Sequence, residues 1–481
     1  MISVLGKTLK KAIKKLEKES LLSAKNDKYR LNYHLMPPIG WLNDPNGLCY
    51  YNNEYNIFFQ YSPFEVNGEL KFWGHYKTKD LINYRYIGVS VYPDEKYDCH
   101  GAFSGSAFIE NNKMYIYYTG NIELRGDYDY VNEGRESNTI LITSNDGINF
   151  DNKKCIMEMK DYPDGITNHI RDPKVWKEGN MYYMVQGVRR NTKPNNKGAV
   201  IIFTSEDKVH WKYLSMINSK EDFAYMWECP DLFKLDGQYI LITCPQGVKR
   251  VESLYENIYL NGYFIVPEDN FKNDITVDKF FILDKGFDFY APQTFIDENN
   301  DRVMIGWMGL PDIDEEYKNN TETWQHCLTI ARTLSFKNNR VYQTPHKSLE
   351  KLRRDTLSIE DIKNNNIDSY EVLIDIKDSK DLQVVISEGL FIKHQNNKFI
   401  LEFMGDIGKT IGCGRTKRSV ELNTIYNLRI FVDTSSVEVF INDGSDVFTT
   451  RYYPLSQSLK IKGDVSYTIY QLDSFAIQVE N

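Results

Sequence analysis

The feature that most restricts this chain is a hairpin that returns five times along its first two thirds. Each copy has a short polar or acidic start, an apolar strand, a polar turn and a second apolar or aromatic strand. The first runs from Asp44-Pro45-Asn46-Gly47 through Leu48 to Tyr51, turns, and continues from Tyr55 to Gln60. The others begin at Ser106, Asp172-Pro173, Glu228-Cys229-Pro230 and Ala291-Pro292-Gln293. Their starts at 44, 106, 172, 228 and 291 lie 62, 66, 56 and 63 residues apart. A hairpin at a near-fixed period marks a repeat architecture. Units of this length hold four strands, the usual content of a propeller blade. The chain is therefore predicted to be all-β, with a five-bladed β-propeller over residues 30–347. The innermost strands of a propeller line a central channel, so residues opening those strands converge. Asp44, Asp172 and Glu228 occupy the same place in their units and are expected to meet in one funnel.

Beyond about residue 350 the pattern becomes short alternating strands, such as Tyr370–Ile376 and Val437–Ile441, with a hairpin signal at Asn442-Asp443-Gly444. Residues 367–481 are predicted to form a C-terminal β-sandwich, joined by a linker over 348–366. At the other end, Leu9, Ala12, Ile13 and Leu16 recur at helical spacing opposite a lysine-rich face. Residues 1–29 are read as an N-terminal helical extension that packs on the protein; contact with anionic lipid is the alternative. A chain of 481 residues accommodates two such domains.

The bulk properties exclude several classes. A net charge of −9 argues against a nucleic-acid binder. No stretch is long and apolar enough for a membrane span, and the N-terminus lacks the apolar core of a secretory signal. The seven cysteines are scattered, with no Cys-x-x-Cys pair, which indicates neither a disulfide framework nor a zinc site. A reducing cytoplasm is the expected location. His34, His75, His100 and His169 lack paired ligand spacing, so structural roles are expected for them, with no metal and no cofactor. The 34 tyrosines suit sugar faces, although strands also favour tyrosine.

Convergent carboxylates point to glycosidic-bond hydrolysis. With retention of configuration, one carboxylate attacks the anomeric carbon and a second carboxyl group protonates the leaving oxygen, the two standing about 5–5.5 Å apart. Their proximity raises the pKa of one member.

Trp41-Leu42-Asn43-Asp44-Pro45-Asn46-Gly47, Arg171-Asp172-Pro173 and Glu228-Cys229-Pro230 resemble the three signature boxes of glycoside hydrolase family 32. That family contains invertases, sucrose-6-phosphate hydrolases, inulinases and levanases. Phe431-Val432-Asp433 and Phe440-Ile441-Asn442-Asp443-Gly444 resemble its C-terminal sandwich. The resemblance implies Asp44 as nucleophile, Glu228 as acid and then base, and Asp172 as transition-state stabiliser oriented by Arg171. Trp227 is expected to supply an apolar wall that keeps Glu228 protonated. The resemblance further implies substrate-binding roles for Asn43, Gln60, Trp73, Phe103, Ser104, Arg171, Tyr290 and Trp307; for the aromatics, core packing is the alternative. Some members carry an additional tryptophan where this chain has Val66-Asn67-Gly68-Glu69. The implied partner is a small carbohydrate: sucrose, sucrose 6-phosphate or a short fructo-oligosaccharide. A phosphorylated substrate would need a cation near the leaving sugar; Arg135, Arg189 and Arg190 are candidates, with solvated surface charge as the alternative. Fructosyl transfer and non-catalytic fructan binding are the competing functions.

Overall fold

A computed structural model describes residues 3–192, 195–220, 223–267 and 270–479. The outermost ends of the expected terminal segments, 1–2 and 480–481, lie outside the described residues. The protein is all-β, a propeller-like arrangement followed by a sandwich-like sheet, with one long helix at the N-terminus.

Helix α1 (Val4–Lys25) is amphipathic. Its cap residue Ser3 accepts from the Gly6 N–H and donates to Asp94 at 2.7 Å. Ile13 is buried, and Glu17 accepts from the hydroxyls of Tyr61 and Tyr86 at 3.0 and 2.7 Å. The helix thus packs on the first sheet of the protein, as its apolar spacing predicts.

The first sheet contains β1 (Gly40–Tyr51), β2 (Glu54–Ser62), β3 (Phe72–Thr78) and β4 (Asn83–Val91). The second contains β5 (Ala102–Glu110), β6 (Lys113–Glu123), β7 (Arg135–Ser144) and β8 (Lys154–Met157). The third has β9 (Ile166–Glu178), β10 (Met181–Arg190), β11 (Lys197–Ser205) and β12 (Lys212–Ser219). The fourth has β13 (Met226–Leu235), β14 (Gln238–Gln246) and β15 (Gly262–Val266). Short β16 (Ile275–Val277) then lies parallel on β12, and β17 (Phe280–Ile282) completes the fourth sheet. A closing sheet holds β18 (Tyr290–Ile296), β19 (Arg302–Met308), β21 (Cys327–Leu328), β22 (Arg332–Lys337) and β23 (Arg340–Pro345). Between them, β20 (Trp324–Gln325) adds to β1 in parallel.

The expectation of a five-bladed propeller is corrected here to four blades and an irregular closing sheet. Four sheets are built on four-stranded meanders: β20 and residues Ala476–Val479 add to the first, β16 adds to the third, and the fourth reaches β17 only after the chain has left for β16. In the closing sheet the third strand is split, so that β19 pairs with β21 at one end and β22 at the other. Between the two pieces the Ile330 N–H turns away from the ladder and donates to Glu438 of the C-terminal sheet at 2.9 Å.

The inner strands are stitched in turn around the channel. The Gly105 N–H donates to Asn46, and the Ser106 hydroxyl to the Pro173 carbonyl at 2.8 Å. The Cys229 N–H donates to Asp172, and the Thr294 N–H to Asp231, both at 2.8 Å.

The C-terminal part begins with β24 (Arg353–Thr356) and α2 (Ile359–Asn364). Its spine is the long β25 (Tyr370–Ile386), whose first half pairs with Asn427–Asp433 and whose second half pairs with Leu390–Gln395. One hydrophobic core runs from Phe59 of the first sheet through Ile305 of the closing sheet to Val384 and Val439 of the C-terminal part. A charged network is buried at the same junction. Arg332 meets Asp284 at 3.0 Å and Glu438 at 2.6 Å, and His34 lies between Asp433 at 2.7 Å and Glu438 at 3.0 Å.

His34 is wholly buried. Burial opposes its protonation, but the hydrogen bonds and charges of Asp433 and Glu438 outweigh it and raise its pKa. Its charged form therefore stabilises the fold fully below the unfolded histidine pKa, and that contribution is lost as pH rises through the raised value. Replacing His34 with alanine leaves two buried carboxylates short of a partner. His34→Ala should cost about 3–5 kcal/mol in urea unfolding at pH 6; an unchanged midpoint would contradict the network's role.

Candidate active site

Every inner strand carries an irregularity at the same place. The register of β1 on β2 shifts between Leu42 and Pro45, bracketing Asn43 and Asp44. That of β5 on β6 shifts between Ala102 and Gly105, bracketing Phe103 and Ser104. The corresponding shifts bracket Asp172-Pro173, Cys229-Pro230 and Ala291-Pro292. A bulge re-aims a side chain that a regular ladder would commit to one face. The last three share a further feature: Asp172, Cys229 and Ala291 have φ of 61°, 49° and 45°. Left-handed backbone is costly for a non-glycine residue, and such strain is held where surrounding structure enforces it. The second unit is offset from expectation, its bulge lying at Phe103–Ser104 rather than at Ser106.

The bulges open into a cavity of about 300 Å³. Asp44, Asp172 and Glu228 all line it, although they come from the first, third and fourth sheets. Asn43, Gln60, Phe103, Ser104, Arg171, Tyr290 and Trp307 line it as well. Trp73 does not. It is fully buried against Phe58 and Tyr118, and its indole N–H donates to the Phe103 carbonyl at 3.0 Å, so it braces a wall residue.

Asp44 is gripped from two sides. The Asn43 amide donates to Oδ1 at 3.0 Å, and the Ser104 hydroxyl donates to Oδ2 at 2.5 Å. These donors are themselves fixed: Asn43 Nδ2 also reaches Gln60 Oε1 at 2.5 Å, and Gln60 Nε2 donates to Ser104 Oγ at 2.7 Å. The Trp41 indole N–H holds Asn43 Oδ1 at 2.9 Å, and the Cys229 thiol lies 3.6 Å from Asp44 Oδ2.

Glu228 accepts at Oε2 from Gln246 Nε2 at 2.8 Å and from the Tyr290 hydroxyl at 2.9 Å. Arg171 Nη1 stands 3.3 Å from Oε1. Burial raises the Glu228 pKa, opposed by Arg171 and reinforced by the charge of Asp44. The expected wall from Trp227 is absent. Neighbours along a strand point to opposite faces, and Trp227 is buried in the adjoining core, stacked on Phe264 at 4.9 Å.

Asp172 is almost fully buried, and its carboxylate accepts from the Cys229 N–H. Burial and the nearby Glu228 push its pKa up to about 7, with Arg171 acting against them. Arg171 reaches Glu228 directly. Its other terminal nitrogen donates to His169 Nδ1 at 2.7 Å, while His169 Nε2 donates to the Tyr130 carbonyl at 2.8 Å. Burial and the surrounding arginines lower His169 to about 3, which keeps it neutral and able to accept at Nδ1.

Sequence reasoning did not single out Lys71, Gln246, Asn67, Gly68, Pro311 or Asp312 as cavity residues. None belongs to a motif box. Trp41 and Cys229 stand inside the boxes and could have been found by the alternation around each bulge.

The model of the glycosyl hydrolases family 32 N-terminal domain matches residues 34–345, and that of the family 32 C-terminal domain matches residues 339–471. The chain belongs to glycosyl hydrolase family 32. It is 35% identical over 458 residues to a sucrose-6-phosphate hydrolase of Bacillus subtilis, covering 92% of this chain and 93% of that one. A Staphylococcus xylosus enzyme of the same name is 36% identical over 456 residues, covering 90% and 89%. The sucrose-6-phosphate hydrolase structure from Lactobacillus gasseri superposes with a TM-score of 0.85 at 28% identity, covering 96% of each chain. A Bombyx mori family 32 β-fructofuranosidase mutant in complex with sucrose gives a TM-score of 0.84 at 27% identity, covering 98% of this chain and 99% of that one. Within this family 32 site, the Tyr290 hydroxyl stabilises the ionised form of Glu228. Tyr290→Phe should therefore raise the Glu228 pKa further. The alkaline limb of kcat against pH should move upward; a downward shift would contradict the hydrogen-bond assignment.

Proposed function

We propose that this chain hydrolyses terminal β-fructofuranosides with retention, acting on sucrose or sucrose 6-phosphate through a covalent fructosyl–enzyme ester. The observation that carries the reading is the meeting of three carboxyl groups from three sheets in one sugar-sized cavity, with two of them raised in pKa. The names of the sucrose-6-phosphate hydrolases that resemble it support the substrate class.

Asp44 is the nucleophile: Asn43 and Ser104 donate to its two carboxylate oxygens and hold it in one orientation. Glu228 is the acid that protonates the leaving oxygen, since burial and Asp44 favour its protonated form. Ester formation removes the Asp44 charge. That lowers the Glu228 pKa and prepares it to act as base toward the incoming water, as a group serving both steps must. Asp172 holds fructose hydroxyls as the ring develops positive charge. Gln60, Ser104, Tyr290 and Trp307 shape the fructosyl pocket, with Arg171 spanning from His169 to Glu228.

Residues 30–347 are read as the catalytic unit. All seven cysteines are free, which suits a reducing cytoplasm.

Removing the acid should cost roughly 10²–10⁴-fold in kcat on sucrose. Glu228→Gln should regain its first step on an activated fructoside with a good leaving group, which needs no protonation. Asp44→Asn should lose turnover on both substrates. Near-wild-type kcat in Asp44→Asn would remove the assignment of nucleophile.

A further inference from the structure

The cavity is acidic at its base and, among the described residues, carries a single cation at its rim without a hydrogen bond or ion pair. Among the described lining residues the bases are Arg171 and Lys71. Arg171 is engaged by His169 and Glu228. The Lys71 ammonium makes no hydrogen bond or ion pair with the described residues; it lies 5.3 Å from the centre of the Trp41 ring. Burial lowers its pKa to about 8, opposed by the charges of Asp44 and Glu65. A lysine so placed holds its charge best with an anion beside it.

The surroundings leave room for that anion. Lys71 shares the rim with exposed Asn67 and Asp312, while Asn43, Ser104 and Asp172 lie buried below. A Cβ on Gly68 would meet Lys71 Nζ at 2.6 Å and the Trp41 ring at 2.7 Å, so a larger residue at 68 would displace the ammonium. The three arginines that were candidates to meet a phosphate, with surface charge as the alternative, do not line the cavity. Arg135 pairs with Glu123 at 2.6 Å, Arg190 bonds Asn218 at 2.5 Å, and Arg189 lies over the Tyr225 ring.

We propose that Lys71 is the specificity-determining residue that reads the phosphate of sucrose 6-phosphate on the sugar leaving through the rim. This rests on the fructosidase reading of the site. The fructosyl end occupies the carboxylates below, the phosphorylated sugar lies toward solvent, and the ammonium supplies a charge-assisted hydrogen bond to a phosphate oxygen.

The test compares kcat/KM for sucrose 6-phosphate and sucrose in the wild-type chain, Lys71→Met and Lys71→Arg. The wild type should prefer the phosphorylated sugar. Lys71→Met should shrink that preference by roughly 10- to 150-fold, the worth of a hydrogen bond to a charged group. Lys71→Arg should retain most of it. Glucose 6-phosphate should inhibit the wild type more strongly than glucose, and Lys71→Met should narrow the gap. A wild type without preference, or a Lys71→Met variant that keeps it, would overturn the proposal while leaving fructoside hydrolysis intact. A wild type that turned over neither sugar would overturn the parent reading and this proposal together.

Discussion

Three carboxyl groups in one partly buried cavity repel one another, and the rest of the site follows from how that repulsion is contained. Asp172 is buried and Asp44 and Glu228 are half-buried, so the charges cannot all be carried at ordinary carboxylate pKa values. The chain answers with directed partners. Ser104 and Asn43 hold Asp44, a backbone N–H holds Asp172, and Gln246, Tyr290 and Arg171 surround Glu228. Asp172 and Glu228 nonetheless remain displaced upward; at Glu228 that favours the protonated form which the proposed acid needs.

The bulges make this crowding possible. A regular strand would send alternate side chains to either face of a sheet and none squarely into the channel. One extra residue at the mouth of each inner strand turns a side chain inward, and in three sheets the turn requires positive φ before a proline. Neighbouring sheets then brace the strained points. The Asp172 N–H donates to Thr119 at 3.0 Å, and β10 packs so closely on β13 that a Cβ at Gly187 would fall 2.0 Å from the Trp227 carbonyl. Behind them, the C-terminal part shares the core and the buried Arg332–Glu438–His34 network, which ties the closing sheet to the rest.

Much of this was legible in the sequence because prolines mark four of the five bulges. Asp-Pro, Glu-Cys-Pro and Ala-Pro leave a visible signature, since a residue before proline is barred from ordinary helical backbone. Phe103–Ser104 has no proline, and the second unit was accordingly placed at Ser106. The orientation of Trp227 was readable in principle, because it adjoins Glu228 on one strand. Lys71 was not readable: it precedes β3 outside any motif, and only the fold brings it beside Trp41. The gap in the closing sheet meets Glu438, more than a hundred residues away in sequence.

The central claim is that Asp44 attacks from one side of the anomeric carbon while Glu228 serves the other, so configuration is retained through a covalent ester. Methanol added to a sucrose reaction intercepts such an ester as a stable glycoside, whose anomeric configuration is fixed and readable by NMR. The account predicts methyl β-D-fructofuranoside as the initial transfer product. Methyl α-D-fructofuranoside would contradict it, because a single inverting displacement would then replace the double displacement at Asp44.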